Sequence, residues 1–148
     1  MAASPTVAWL VARLEASDVI VMTTGTMVPG GIAGDLRFLD TTATARILHV
    51  RVDNRQAPLD RMAWLAHELQ HAVEVAGAVE VRSPADLAAL MNRISRVLGS
   101  RQYFETAAAI ECGRQASREL AAALRLQRRG NNALLGDSGL AHVTRPVR

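Results

Sequence analysis

Residues 58–77 read PLDRMAWLAHELQHAVEVAG, and the rest of the chain is best read outward from them. Pro58 presets the first helical φ and Gly77 stops the run, so the spacing predicts one helix over 58–76. Met62, Leu65, Leu69, Val73 and Ala76 recur at intervals of three and four and form its expected apolar face. On the opposite side, toward a cleft, the helix carries His67, Glu68 and His71 as an HExxH. Residues four apart stand one turn apart on one face, so both imidazoles can reach one metal ion. Glu68 is rotated by about 100° from His67 and flanks the ion, where it can take a proton from a water held there. Imidazole nitrogens suit Zn2+, and a catalytic zinc keeps one position open for water.

Two histidines need a third protein ligand. Glu74 shares their face, but it lies two turns beyond His67 and reads as a partner of His71 or as polar surface. Nothing marks Glu80. Glu105 and Glu111 fall on a later helix expected over 102–128, with Gly130 as its stop. On that helix Glu105 would head a stripe of small residues, Ala109, Cys112 and Ala116, along which another helix can approach closely. Glu111 would sit with Arg114 and Arg118 on a solvated face. A carboxylate heading a buried stripe needs a partner, so Glu105 is the expected third ligand.

Upstream, Ser4-Pro5 reads as a capped helix start running to about residue 16. Residues 19–23, 35–40 and 46–52 read as strands, the last alternating Leu48, Val50 and Val52 against Ile47, His49 and Arg51. The segment 25–34, with four glycines and a proline, reads as a loop. It lacks a GxxxxGK[ST] and the chain has no lysine, which disfavours a phosphate loop. After Gly77, residues 79–82 read as a short extended piece, and Ser83-Pro84 opens a helix expected to end at Gly99.

The His67-Glu68-x-x-His71 motif followed by Glu105 resembles the zincin metallopeptidases of the gluzincin type, and more narrowly the minimal gluzincins. The resemblance covers residues 18–128. It implies a small sheet, an active-site helix and a second helix supplying Glu105. It also implies a zinc hydrolase in which Glu68 is the general base. The metzincin extension is absent, because position 74 is Glu and position 77 is Gly. Gluzincins place a Tyr or His near the oxyanion; Tyr103, His49 and His142 are the candidates here. His49 stands on a strand that could border the cleft, and Trp64, one turn before His67, could pack over the site. A second ExxH, which a di-iron bundle would need, is not present.

The chain has 148 residues, 49% hydrophobic and 21% charged, enough for one domain with a real core. Aromatics at 3% argue against a base-stacking surface. All 17 basic residues are arginine; residues 1–100 carry a net charge of −1 and residues 101–148 of +4. A solvated helix face and a basic tail account for that excess, so nucleic acid is not an expected partner. No apolar stretch approaches the roughly 20 residues of a membrane span, and the N-terminal stretch does not read as a secretory signal. Cys112 is the one cysteine, so a reducing, cytoplasmic setting is expected.

The sequence therefore predicts an α+β, minimal zincin-like domain over 1–129, with about three strands and four helices, and a disordered basic tail over 130–148. Its expected function is that of a cytoplasmic zinc metallopeptidase acting on a peptide or protein. His67, His71 and Glu105 are the expected metal ligands, Glu68 the catalytic base, and Zn2+ the cofactor. The alternative is a non-catalytic, metal-binding domain that recognises a protein partner. An Ala- and Leu-rich helical surface could support a homodimer.

Overall fold

Strand alternation at residues 46–53 organises the molecule. In a computed structural model, described over residues 4–97 and 104–136, the chain is α+β. A first helix, α1 (Pro5–Glu15), leads into β1 (Val19–Thr26), β2 (Gly34–Thr41) and β3 (Arg46–Asp53). Strand β3 lies in the middle, parallel to β1 and antiparallel to β2. Its even-numbered residues Leu48, Val50 and Val52 turn inward and are buried. The 20-residue helix α2 (Pro58–Gly77) packs across that face. Helix α3 (Pro84–Ile94) follows, and Arg96–Val97 (β4) pairs antiparallel with Phe104–Glu105 (β5). The chain then enters α4 (Ala107–Gly136). Among the described residues no helix is long and apolar enough to cross a membrane.

Four boundaries differ from the sequence reading. The glycine-rich stretch is shorter than a 25–34 loop: β1 runs on to Thr26, and a 3-10 turn occupies Pro29–Gly31. Gly30 and Gly31 there adopt φ of +80° and +72°, which favours glycine at both positions. Residues 79–80 form a turn rather than the start of an extended piece, and 81–82 carry no regular structure, with Val81 fully buried. Helix α3 ends at Ile94, short of Gly99. Helix α4 passes through Gly130 to Gly136, because one interior glycine costs only about 1 kcal/mol against its helix-forming neighbours. Residues 130–136 of the expected tail are thus helical; the remainder, 137–148, lies outside the described residues.

The α2 end is closed by a side chain from the sheet. Arg46 has the same strand parity as Leu48 and Val50, so it too points inward, and it is 0% exposed. Its Nη1 donates to the carbonyls of Val75 at 2.8 Å and Ala78 at 2.7 Å, and Nη2 donates to that of Ala76 at 3.3 Å. Asp18 accepts from Nε at 2.9 Å and from Nη2 at 2.5 Å, which neutralises the charge. The Val75 and Ala78 carbonyls also accept from the N–H groups of Ala78 and Val81, so the guanidinium adds a second donor to each and supplies one to Ala76 at the helix C-terminus.

Helix α4 lies close along α2, and the small residues expected there are the reason. Ala109 and Ala116 are fully buried, and a Cβ on Gly113 would stand 3.1 Å from the carbonyl oxygen of Ala63 on α2. Gly113→Ala is expected to push the helices apart and cost about 1–3 kcal/mol of stability in urea unfolding. A second fastening joins α4 to the start of α1. The Glu119 carboxylate accepts from Ser4 Oγ at 2.6 Å, from the Thr6 backbone N–H at 3.0 Å and from Thr6 Oγ1 at 2.9 Å.

Candidate metal centre

The middle of α2 is buried on all sides rather than apolar on one face and open on the other. Met62, expected in the core, is 36% exposed, whereas His67 and His71 are 5% and 4% exposed. The sheet takes one side of the helix and α4 covers much of the rest, so the histidines stand at the base of a cleft and not on a surface.

The structure brings His67, His71 and Glu105 together. Their nearest ligand atoms all lie within 4.8 Å of one another, with His67 Nε2 3.1 Å from Glu105 Oε2. The two imidazoles meet edge to face, centroids 4.9 Å apart, and Trp64 stands 5.1 Å from the His67 ring. Donors around one tetrahedral ion, each about 2.0–2.2 Å from it, stand roughly 3.3–3.6 Å apart. Two imidazoles and one carboxylate at this spacing therefore suit a zinc-like divalent ion.

Glu105 reaches the cluster by a route the sequence reading did not foresee. It is not on the helix but in β5, two residues ahead of Ala107. Thr106 ends the strand and caps α4, its hydroxyl accepting from the Ala109 N–H at 3.1 Å. Glu111, the competing carboxylate, pairs with Arg118 at 2.6 Å on the exposed face, as its position on the helix predicted.

Glu74 lies behind the cluster. Its Oε2 accepts from His71 Nδ1 at 2.9 Å, and its Oε1 accepts from the Thr106 hydroxyl at 2.6 Å. A carboxylate can only accept, so Nδ1 carries the hydrogen and Nε2 is left for the cluster. Burial pulls the His71 pKa down, but Glu74, Glu68 and Glu105 together pull it up further, so it rises above its ordinary value. Burial raises the Glu105 carboxyl, and His67 and His71 outweigh that and hold it below the usual range.

Glu68 is 5% exposed. Among the described residues its carboxylate has no hydrogen-bond partner. Burial pushes its pKa up to about 7; His71 and His67 oppose the rise, while Glu105 and Asp35 add to it. Gly34, at the start of β2, makes room for this side chain: a Cβ there would lie 3.0 Å from Glu68 Oε1 and 3.1 Å from the Arg51 carbonyl oxygen. No local sequence signal marked Gly34, Thr106 or Arg46, apart from the strand parity of Arg46.

A cleft of about 670 Å³ opens from the cluster, walled by Trp64, His67, Glu105 and Ile110, with Arg114 and Arg118 along its α4 side. His49 does not border it. Its odd-numbered position turns it to the opposite face of the sheet, where it hydrogen-bonds Thr24 Oγ1 at 2.8 Å. The other two oxyanion candidates, Tyr103 and His142, lie outside the described residues. No protein-family model, curated protein or solved structure matches the chain.

Proposed function

We propose that this chain is a zinc-dependent hydrolase of the peptidase type, built as a minimal zincin-like domain and acting in the cytoplasm. One observation carries the reading: His67, His71 and Glu105 converge within 4.8 Å beside a buried Glu68, and two of them, His67 and Glu105, line an open cleft. A structural metal site is closed by four protein ligands, and three ligands beside a cleft leave the position that catalysis needs.

A divalent ion held by these three residues supplies Lewis acidity toward a substrate carbonyl and makes water acidic near neutral pH. Glu68 accepts the proton of the attacking water and passes it to the departing nitrogen. Without a metal, burial pushes this carboxyl up; a divalent ion beside it would lower it and favour the ionised form that accepts the proton. The cleft beside Trp64 and Ile110 takes a substrate side chain. Strand β2 is an edge strand whose first residue, Gly34, contacts Glu68. An extended peptide laid along that edge brings its backbone to the base.

The test is bound-metal stoichiometry by elemental analysis, on wild type beside Glu105→Ala and Glu111→Ala. The expected result is about one zinc per chain, lost in Glu105→Ala and kept in Glu111→Ala. A wild-type protein that takes up no metal when zinc is offered overturns the hydrolase reading. If zinc binds, a peptide-library screen follows, with Glu68→Gln as the inactive control.

A further inference from the structure

The cluster's two halves come from distant parts of the chain, His67 and His71 from α2 and Glu105 from the strand before α4. Something must hold them in register, and backbone pairing is not enough, because β4 and β5 are two residues each. Both oxygens of Glu74 are committed, one to His71 Nδ1 at 2.9 Å and one to Thr106 Oγ1 at 2.6 Å. The Gln70 oxygen accepts from Cys112 Sγ on α4 at 3.5 Å. Glu74 is half-buried, with its side chain 15% exposed. Each oxygen accepts from one donor, and Glu74 is not among the three residues whose ligand atoms converge.

We infer that Glu74 is the positioning residue of this centre: it fixes His71 as an Nε2 ligand and, through Thr106, locks the Glu105 segment to α2. The inference rests on reading His67, His71 and Glu105 as metal ligands. Thr106 is adjacent to Glu105 and caps α4, so one hydroxyl couples the third ligand's strand, the start of α4 and the orientation of His71. Glu74→Gln breaks this arrangement without changing side-chain size. An amide cannot accept from both His71 and Thr106: with its oxygen on His71 its NH2 must donate to Thr106 Oγ1, and with its oxygen on Thr106 its NH2 confronts the His71 N–H.

The experiment compares wild type with Glu74→Gln, Thr106→Val, Thr106→Ser and the exposed control Glu111→Gln, each checked for folding by thermal unfolding. Zinc affinity is read by competition with a chromophoric chelator, and ligand geometry from the visible absorption of the Co2+-loaded protein. Glu74→Gln is expected to weaken zinc binding by about 10–100-fold while keeping a three-ligand Co2+ spectrum. Thr106→Val is expected to weaken it less, Thr106→Ser to restore it, and Glu111→Gln to leave it unchanged. Zinc affinity within twofold of wild type in Glu74→Gln overturns the proposal. So does a Co2+ spectrum altered in the manner of Glu105→Ala, since that makes Glu74 a ligand. If wild type binds no metal, the hydrolase reading fails and 15N NMR of the His71 ring decides the positioning role. An Nδ1-protonated ring in wild type that turns into a tautomer mixture in Glu74→Gln supports it, and the same ring state in both overturns it.

Discussion

Glu68→Gln is expected to make the metal-free protein more stable at pH 8 by about 3 kcal/mol and, under the proposed zinc-hydrolase function, to slow hydrolysis by about 10²–10⁴-fold with zinc still bound. The stability gain follows from a carboxyl whose folded-state pKa of about 7 lies above its ordinary 4.5. Below pH 4.5 both folded and unfolded chains hold the proton, and ionisation costs folding nothing. As pH rises through the window from 4.5 to about 7, the unfolded chain releases that proton while the folded chain keeps it, and stability falls. Above the window the folded chain carries a buried charge. Glutamine carries none at any pH. Its advantage in urea unfolding of the chelator-treated protein should therefore be under about 1 kcal/mol at pH 5 and near 3 at pH 8. An advantage equal at the two pH values would show that burial does not raise the Glu68 carboxyl in the metal-free protein.

The second large effect is structural. Arg46→Met should cost about 1–3 kcal/mol, a sizeable part of the total stability of a domain this size. Methionine fills the space but takes the Arg46 donor from the Ala76 carbonyl, removes the second donor of the Val75 and Ala78 carbonyls, which keep the N–H groups of Ala78 and Val81, and leaves Asp18 without its partner. Arg46→Lys should fall between the two, since one ammonium cannot span both the helix end and Asp18. Asp18→Asn should cost about 1 kcal/mol, because Asp18 is 37% exposed and water replaces part of what is lost. Equilibrium unfolding midpoints rank the variants, and Asp18→Asn more harmful than Arg46→Met would reverse the account of which partner matters.

These two side chains mark the limits of reading this molecule from its sequence. The α2 helix was legible because its signals are local: a proline, a glycine, a three-four spacing and a motif within five residues. The strand was legible over 46–52 from the alternation of Leu48, Val50 and Val52, but Arg46, which shares their parity and points inward, was not singled out. Which partners it finds was not legible, since Val75 and Asp18 lie about thirty residues away on either side. Glu105 was singled out from its place on a helix stripe, yet it is on a strand. The stripe itself is real, with Ala109 and Ala116 against α2, but Thr106 starts the helix after the glutamate. The one-sided apolar face assigned to α2 failed because periodicity detects the sheet packing on one side and carries no information about a second helix arriving on the other.

The bond between Glu119 and the first turn of α1 spans 113 residues to Thr6 and 115 to Ser4. On a ribosome moving at about 5–20 residues per second, α1 waits roughly 6–20 s before that carboxylate has been synthesised. Leu10 and Leu14 can bury themselves earlier, against β1 and α2, but the helix start stays unfastened until most of the chain exists. A nascent chain stalled before residue 119 should therefore lose its first few residues to a protease that spares them in the finished protein.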